Sequence, residues 1–177
     1  MLENSRNEAI DLEIMPAYGE QGLLGATSTE YGLPGISKTA SGLVCRELER
    51  IDSGYRSMIS VQNSLALRAI LSFGEKSLKD KLVPKLTDGS YVGCFGLTEP
   101  DHGSDPSGME TTAVSDGAGG YIITGSKTWI SNSPIADVFV IFAKDATNNN
   151  AIQGFVLMKG MEGLTAPKIL VSGSIIA

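Results

Sequence analysis

Hydrophobic residues follow a helical period in the first half of the chain and form short strand-like runs in the second half. Apolar side chains three or four positions apart occur at Leu43, Val44, Leu48, Met58, Val61, Leu65, Leu78 and Leu82. After Gly89, runs of Val, Ile, Phe and Tyr alternate with turn residues. The pattern therefore predicts helices up to about residue 89 and strands beyond it.

Capping and turn residues set the expected ends of the helices. Pro34-Gly35 precedes a helix predicted over residues 37–51, Asp52 can cap the next one, and Gly74 ends it before a further helix begins. An earlier helix is predicted within residues 7–25. Pro84 should break or kink the last helix, because proline has no N–H and clashes with the preceding turn.

Short strands separated by turns fill the second half. Residues 121–124 and 127–130 flank Gly125-Ser126, which predicts a type II′ hairpin, and the glycine-rich stretch 116–120 predicts another reversal. Further strands are expected at 138–142 and 152–158, with a polar loop at 145–150 between them. The chain is thus predicted to be α+β, with a partial helical domain at 1–89 and an incomplete antiparallel sandwich or barrel at 90–177.

Charge and residue content exclude several functions. The chain of 177 residues carries 14 basic and 20 acidic side chains, a net charge of −6, with no basic block for a nucleic-acid backbone. The two cysteines, Cys45 and Cys94, lie far apart and suggest buried thiols, and His102 is the only histidine, so no metal site is indicated. The most apolar window, 138–143, is far too short to span a membrane.

One loop carries candidate chemistry. Residues 93–105 leave a predicted strand and place the hydroxyls of Thr98 and Ser104 on a segment bent by glycine and proline. Such a loop can surround a flat polar ligand with hydrogen-bond donors, or the hydroxyls can simply close their own turn. Two phosphate-binding patterns fail, because residues 117–120 and 120–128 match hairpin turns better.

The order and spacing of three segments resemble the acyl-CoA dehydrogenase family. These are Leu97-Thr98-Glu99-Pro100, then Gly103-Ser104-Asp105, then Gly125-Ser126-Lys127-Thr128-Trp129-Ile130-Ser131-Asn132. Residues 46–57 look like the glutaryl-CoA dehydrogenase branch, and the match runs from about 7 to 169. The resemblance implies a subunit with helical, middle β and C-terminal four-helix domains, of which the last is absent here, assembled as a homotetramer.

The resemblance also implies FAD as the cofactor and a set of residues around it. Thr98 would hydrogen-bond the pyrimidine edge of the flavin, Trp129 would pack its indole near the ring, and Ser131 would offer a hydroxyl to N5. The whole implied cofactor set is Phe95, Gly96, Leu97, Thr98, Gly103, Ser104, Trp129, Ile130 and Ser131.

Substrate contacts are implied at the second predicted helix. Arg56 and Ser57 resemble the pair that holds the distal carboxylate of glutaryl-CoA, which suits the planar donors of arginine. Glu49 would lie near the acyl tail, and Ser104 would touch the CoA side. The family base is a glutamate on the C-terminal helices, so no residue here is assigned a catalytic role, Glu99 included.

The implied reaction is α,β-dehydrogenation and decarboxylation of glutaryl-CoA to crotonyl-CoA, with electron-transfer flavoprotein as the oxidant. This chain is expected to be an inactive fragment of such an enzyme, from the mitochondrial matrix of a eukaryote or otherwise the cytoplasm. Alternatives are a non-catalytic acyl-CoA-binding or subunit-interaction module, or a dehydrogenase of another acyl-CoA. For single residues, Trp129 could be a core side chain and Arg56 could pair with Asp52 on its own helix.

Overall fold

A computed structural model describes residues 10–169 of the chain. Its helices are α1 (Ile14–Glu20), α2 (Lys38–Glu49), α3 (Ser53–Ser60), α4 (Leu67–Phe73) and α5 (Lys76–Thr87), and a π-helical segment, Val61–Ala66, joins α3 to α4. Its strands are β1 (Gly93–Gly96), β2 (Thr112–Ser115), β3 (Tyr121–Thr124), β4 (Val138–Asp145) and β5 (Ala151–Met158). Helices therefore precede strands, and the change falls between Thr87 and Gly93.

Local side-chain capping explains where α2 and α3 begin. The Ser37 hydroxyl accepts a hydrogen bond from the Ala40 N–H at 3.1 Å, and the Asp52 carboxylate accepts from the Gly54 N–H at 2.7 Å. Gly74 ends α4 as predicted. The predicted break at Pro84 does not occur, because α5 continues to Thr87 with the proline on its exposed face.

The sheet is mixed, and β4 is its central strand. β5 pairs antiparallel with β4 along its whole length, while β1 pairs parallel with β4 from Gly93↔Val138 to Gly96↔Ile141. β2 continues beside β4 where β1 ends, also in parallel, and β3 pairs antiparallel with β2. The α+β class is confirmed. The sheet is mixed, not antiparallel as predicted. The loops and the β2–β3 hairpin form one long connection from β1 to β4, which returns the chain to the end of the sheet where β1 begins, so the two strands run parallel.

The hairpin predicted at Gly125-Ser126 is absent from the structure. β3 pairs instead with β2 across the predicted glycine-rich turn at residues 116–120, and residues 127–130 form no strand. The Thr128 N–H donates to the Thr98 carbonyl at 2.9 Å, and Trp129 adopts a left-handed backbone with φ of 58°. The chain leaves the sheet at this point to meet the loop after β1.

The core lies between the last two helices and the sheet. Its fully buried side chains include Leu67, Ile70, Leu82, Leu86, Val138 and Val140. Two buried amides join helices and sheet: Gln62 accepts from the Gly93 N–H at 2.7 Å, and Asn132 donates to the carbonyls of Met58 and Gly93 at 3.2 Å each. Within residues 10–169, every helix is too short or too polar to cross a lipid bilayer.

Candidate functional site

Two loops meet beside the carboxyl end of β1, and together they form the candidate site. Residues 97–104 follow β1 and residues 127–132 follow β3; they are called the paired loops below. The Thr128 N–H donates to the Thr98 carbonyl at 2.9 Å, and Lys127 Nζ donates to the Leu97 carbonyl at 3.2 Å. Thr98 and Trp129, 31 positions apart in sequence, are thereby brought close together.

Four hydroxyl groups on the paired loops have no hydrogen-bond partner within the described part of the chain. They belong to Thr98, Ser104, Thr128 and Ser131. The turn is closed by backbone, because Glu99 and His102 exchange N–H to carbonyl bonds at 3.1 and 3.2 Å. The alternative that the Thr98 and Ser104 hydroxyls close their own turn is wrong, and both groups are available to a ligand.

Trp129 is exposed at the surface of the paired loops. Its relative exposure is 59%, which excludes the alternative of a core side chain. A left-handed backbone at a bulky residue costs roughly 1–2 kcal/mol, and such strain is concentrated at functional sites. An exposed aromatic ring on a strained backbone is a suitable face for stacking a flat ligand.

Other residues of the predicted cofactor set turn their side chains inward. Phe95 packs against Phe142 with ring centroids 5.0 Å apart, and Ile130 packs against the cluster around Cys94. Gly96 is enclosed, since a Cβ there would lie 2.5 Å from Ile141 Cδ1. Of this set, Gly96 is buried and Phe95 and Ile130 are half-buried, whereas Gly103 lies open on the loop surface.

Glu99 is a buried anion at the base of the paired loops. Its carboxylate accepts from the backbone N–H groups of Glu110 at 2.6 Å and Thr111 at 3.0 Å, from the Thr111 hydroxyl, and from Lys127 Nζ at 2.8 Å. Burial by itself raises the pKa of Glu99, but these hydrogen bonds outweigh it and lower the pKa to about 2. A carboxylate so firmly ionised and enclosed cannot collect a substrate proton, which agrees with its having no catalytic assignment.

Lys127 was not found by sequence reasoning. Its side chain is 8% exposed and that of Glu99 is 3% exposed, so the ion pair is nearly dry. The ammonium group also contacts the Leu97 carbonyl and, at 3.9 Å, Met109 Sδ. The signal in the sequence was a lone lysine inside the 125–132 motif, which does not reveal its partner 28 residues earlier.

Of the predicted substrate residues, Arg56 and Ser57 lie on α3 and Glu49 ends α2, whereas Ser104 lies on the paired loops. Arg56 Nε donates to Glu49 Oε2 at 2.6 Å, and both side chains are partly exposed. The alternative pairing of Arg56 with Asp52 is wrong, because Asp52 caps α3 instead. Within residues 10–169 the two terminal nitrogens of Arg56 make no hydrogen bond, so they remain available to a carboxylate.

Asn132 connects α3 to the paired loops. Its amide donates to the carbonyl of Met58, the residue after Ser57, and to that of Gly93 at the start of β1. The amide is buried at 8% exposure. The helix that carries Arg56 and the loop that carries Trp129 are therefore fastened to each other.

The other reactive side chains form no site. His102 lies 3.9 Å from the exposed Glu110, and no role was predicted for it. Burial raises the pKa of the Cys94 thiol to about 12, while Cys45 is only half-buried. Among the described residues, no group of three metal-binding side chains occurs, and the cysteines form no disulfide.

The chain is thus an α+β protein in which a helical region is fastened to a mixed sheet. Its paired loops present an exposed tryptophan and free hydroxyls as a candidate ligand site. The family model for the N-terminal domain of acyl-CoA dehydrogenases matches residues 1–90, and the model for the middle domain matches residues 94–174. The chain belongs to the acyl-CoA dehydrogenase family.

Known relatives agree with this membership. An acyl-CoA dehydrogenase of Bacillus subtilis is 32% identical over 92% of this chain and 44% of its own length. The crystal structure of a glutaryl-CoA dehydrogenase from Mycobacterium smegmatis is 46% identical, with a TM-score of 0.88 over 93% of this chain and 42% of that one. A glutaryl-CoA dehydrogenase from the same organism in complex with FADH2 is 40% identical, with a TM-score of 0.86 over 91% and 41%. The chain thus spans less than half the length of these relatives.

Proposed function

We propose that this chain forms the helical and β-sheet part of an FAD-dependent acyl-CoA dehydrogenase whose substrate is glutaryl-CoA. The observation that carries the proposal is the pair of loops on which Thr98, Ser104, Ser131 and Trp129 are all available to a ligand. The likeness to a glutaryl-CoA dehydrogenase at 46% identity, and to another with FADH2 bound, supports the cofactor and the substrate. The product of the complete enzyme would be crotonyl-CoA, after loss of carbon dioxide.

The paired loops fit a flavin through their polar groups and their one aromatic face. Bound FAD would supply the acceptor for the hydride that leaves the substrate β-carbon. Thr98 would direct its hydroxyl to the pyrimidine edge, Ser131 would donate toward N5, and Trp129 would cover one side of the ring and exclude water. Phe95, Gly96, Leu97, Gly103 and Ile130 would border the ring through their backbone.

Arg56 is the group best suited to choose a dicarboxylic substrate. Glu49 accepts a hydrogen bond from Nε alone, so the terminal nitrogens keep donors for a substrate carboxylate. Ser57 adds a hydroxyl beside it, and Ser104 would contact the CoA side. No residue of this chain is assigned the removal of the α-proton.

The remaining proposals concern the assembled protein. The complete enzyme would be a homotetramer that passes electrons to electron-transfer flavoprotein, in the mitochondrial matrix of a eukaryote or the cytoplasm of a bacterium. The 177-residue chain by itself is expected to be inactive. Incubation with glutaryl-CoA and an artificial electron acceptor tests this, and measurable turnover would show the expectation to be wrong.

The cofactor proposal can be tested on the chain itself, because Trp129 is its only tryptophan. FAD should quench the fluorescence of Trp129 in a saturable titration, and adenosine diphosphate, which has no flavin, should not. Quenching by both ligands alike, or by neither, would oppose a flavin stacked at the paired loops.

The substrate proposal needs a matched pair of arginine variants. Arg56→Ala should weaken glutaryl-CoA binding about tenfold and leave butyryl-CoA binding unchanged, since only the former has a distal carboxylate for a bidentate contact. Arg50→Ala is the control, because Arg50 is an exposed residue nearby that pairs with Glu47 at 3.1 Å. Isothermal titration measures both, and equal losses for the two thioesters would remove the argument for glutaryl-CoA.

A further inference from the structure

We infer that Glu99 and Lys127 are positioning residues, whose buried ion pair holds the two paired loops at the separation that a flavin needs. This inference rests on the proposed function, since it concerns the same site. The pair joins the loop that carries Thr98 to the loop that carries Trp129, with Nζ 2.8 Å from Oε1. Neither residue is assigned a direct contact with the ligand.

The ion pair lies at the centre of contacts that reach three stretches of chain. Lys127 Nζ contacts the Leu97 carbonyl, the Glu99 carboxylate and Met109 Sδ, which accounts for all three ammonium donors. The same carboxylate accepts from Glu110 and Thr111 at the start of β2. Moving either charge would therefore disturb both ends of the segment that runs from Leu97 to Thr111.

Hydrophobic packing gives the paired loops little other support. The buried members of the three core clusters come from other parts of the described chain, and only the half-buried Ile130 of the paired loops packs against one of them. Trp129 keeps a left-handed backbone and an exposed indole. A strained conformation persists only where its surroundings enforce it, and Lys127, two positions before Trp129, is a side chain of this loop anchored by three contacts.

The lysine stem lies beside Gly96. A Cβ at that glycine would be in ordinary contact with Lys127 Cγ, at 3.4 Å, so the lysine passes directly against the end of β1. The charge state suits a permanent pair, because the low pKa of Glu99 keeps it ionised at every physiological pH. The arrangement is built to hold one geometry and not to switch between two.

A test must separate positioning of the loops from general stability of the fold. Lys127→Met removes the ion pair, and Leu82→Ala is a control with a comparable loss of stability at a buried core residue remote from the loops. Both full-length variants are titrated with FAD, with Trp129 fluorescence as the readout, at a temperature where circular dichroism shows both to be folded.

Lys127→Met should weaken FAD binding about tenfold or more and shift the Trp129 emission, while Leu82→Ala should bind FAD like the unaltered chain. Lys127→Arg retains the charge and should therefore lose less FAD affinity than Lys127→Met. Equal FAD affinities in Lys127→Met and the unaltered chain, or equal losses in both destabilised variants, would overturn the inference.

Two outcomes distinguish this inference from the proposed function. If the unaltered chain does not bind FAD, the proposed function is wrong. Acrylamide quenching of Trp129 fluorescence then tests the positioning of the loops alone: the quenching should change in Lys127→Met and not in Leu82→Ala. If Lys127→Met does not fold, Glu99→Gln takes its place, because it is isosteric and removes the negative charge together with one of the two acceptor oxygens.

Discussion

Two ion pairs of nearly equal length occupy opposite environments in this molecule. Glu99 and Lys127 lie 2.8 Å apart with side chains 3% and 8% exposed, whereas Glu49 and Arg56 lie 2.6 Å apart with side chains 47% and 36% exposed. Distance alone would rank the two pairs as equals. Burial separates them. Water and ions screen the exposed Glu49–Arg56 pair, called the outer pair below, and hardly reach the buried Glu99–Lys127 pair, called the inner pair.

The surroundings of the two pairs point to different uses. The carboxylate of Glu99 and the ammonium group of Lys127 form hydrogen bonds with other groups of the protein. A ligand could bind there only by breaking those hydrogen bonds. Arg56 uses only Nε and keeps its terminal nitrogens available. The inner pair fixes a geometry, and the outer pair orients a group that can bind something else.

The largest expected effect comes from breaking the inner pair on one side. Lys127→Met should lower the free energy of unfolding by about 3–5 kcal/mol, because it leaves Glu99 buried without its counter-ion. Arg56→Met, the matched change in the outer pair, should cost no more than about 1 kcal/mol. Urea unfolding followed by circular dichroism measures both, and similar losses would contradict the distinction between the pairs.

Acid should weaken the inner pair through its carboxylate. The folded pKa of Glu99 is about 2 against an ordinary value of 4.5, so its ionised form contributes roughly 3 kcal/mol of stability above pH 4.5. That contribution is lost as the pH falls from 4.5 toward 2. The stability difference between the unaltered chain and Glu99→Gln should therefore narrow in that window, and a constant difference would argue against a depressed pKa.

A smaller effect is expected at the strained residue beside the inner pair. Trp129→Gly should raise the free energy of unfolding by about 1 kcal/mol, because glycine adopts φ of 58° without strain. Trp129→Ala keeps most of the strain and serves as the control for loss of the indole. A glycine variant no more stable than the alanine variant would show that the backbone at this position is not strained.

The smallest effect belongs to the exposed arginines. Arg56→Ala and Arg50→Ala should each change the free energy of unfolding by no more than about 1 kcal/mol, because both pairs are exposed to solvent. The two variants should then differ only in binding to glutaryl-CoA. A large loss of stability in Arg56→Ala alone would make this arginine a structural residue.

Local signals in the sequence predicted most of the secondary structure. Ser37, Asp52 and Gly74 mark helix ends because each acts within a few residues of its own position. The long strands β4 and β5 and the polar turn between them also follow from apolar runs and turn residues. Pro84 was misjudged, since the carbonyl of Asp80, to which a proline four residues later cannot donate, lies on the exposed side of the helix and is open to water.

Contacts between distant residues could not be predicted in this way. The parallel pairing of β1 with β4 depends on a connection of some forty residues. The hairpin expected at Gly125 does not form, because Lys127 and Thr128 make their hydrogen bonds to the loop after β1 and not to β3. The family resemblance predicted the paired loops, Arg56 and Trp129 as site candidates. The ion pair beneath the loops became visible only when residues 28 positions apart were placed together.

Hydrogen exchange of the chain with and without FAD tests the central claim most directly. If the paired loops form a flavin site, FAD should slow exchange of the backbone N–H groups in residues 97–104 and 127–132, including the Thr128 N–H bonded to Thr98. Helix α2, which lies outside the paired loops, should be unaffected. Protection confined to other parts of the chain, or no protection in the two loops at saturating FAD, would contradict the account.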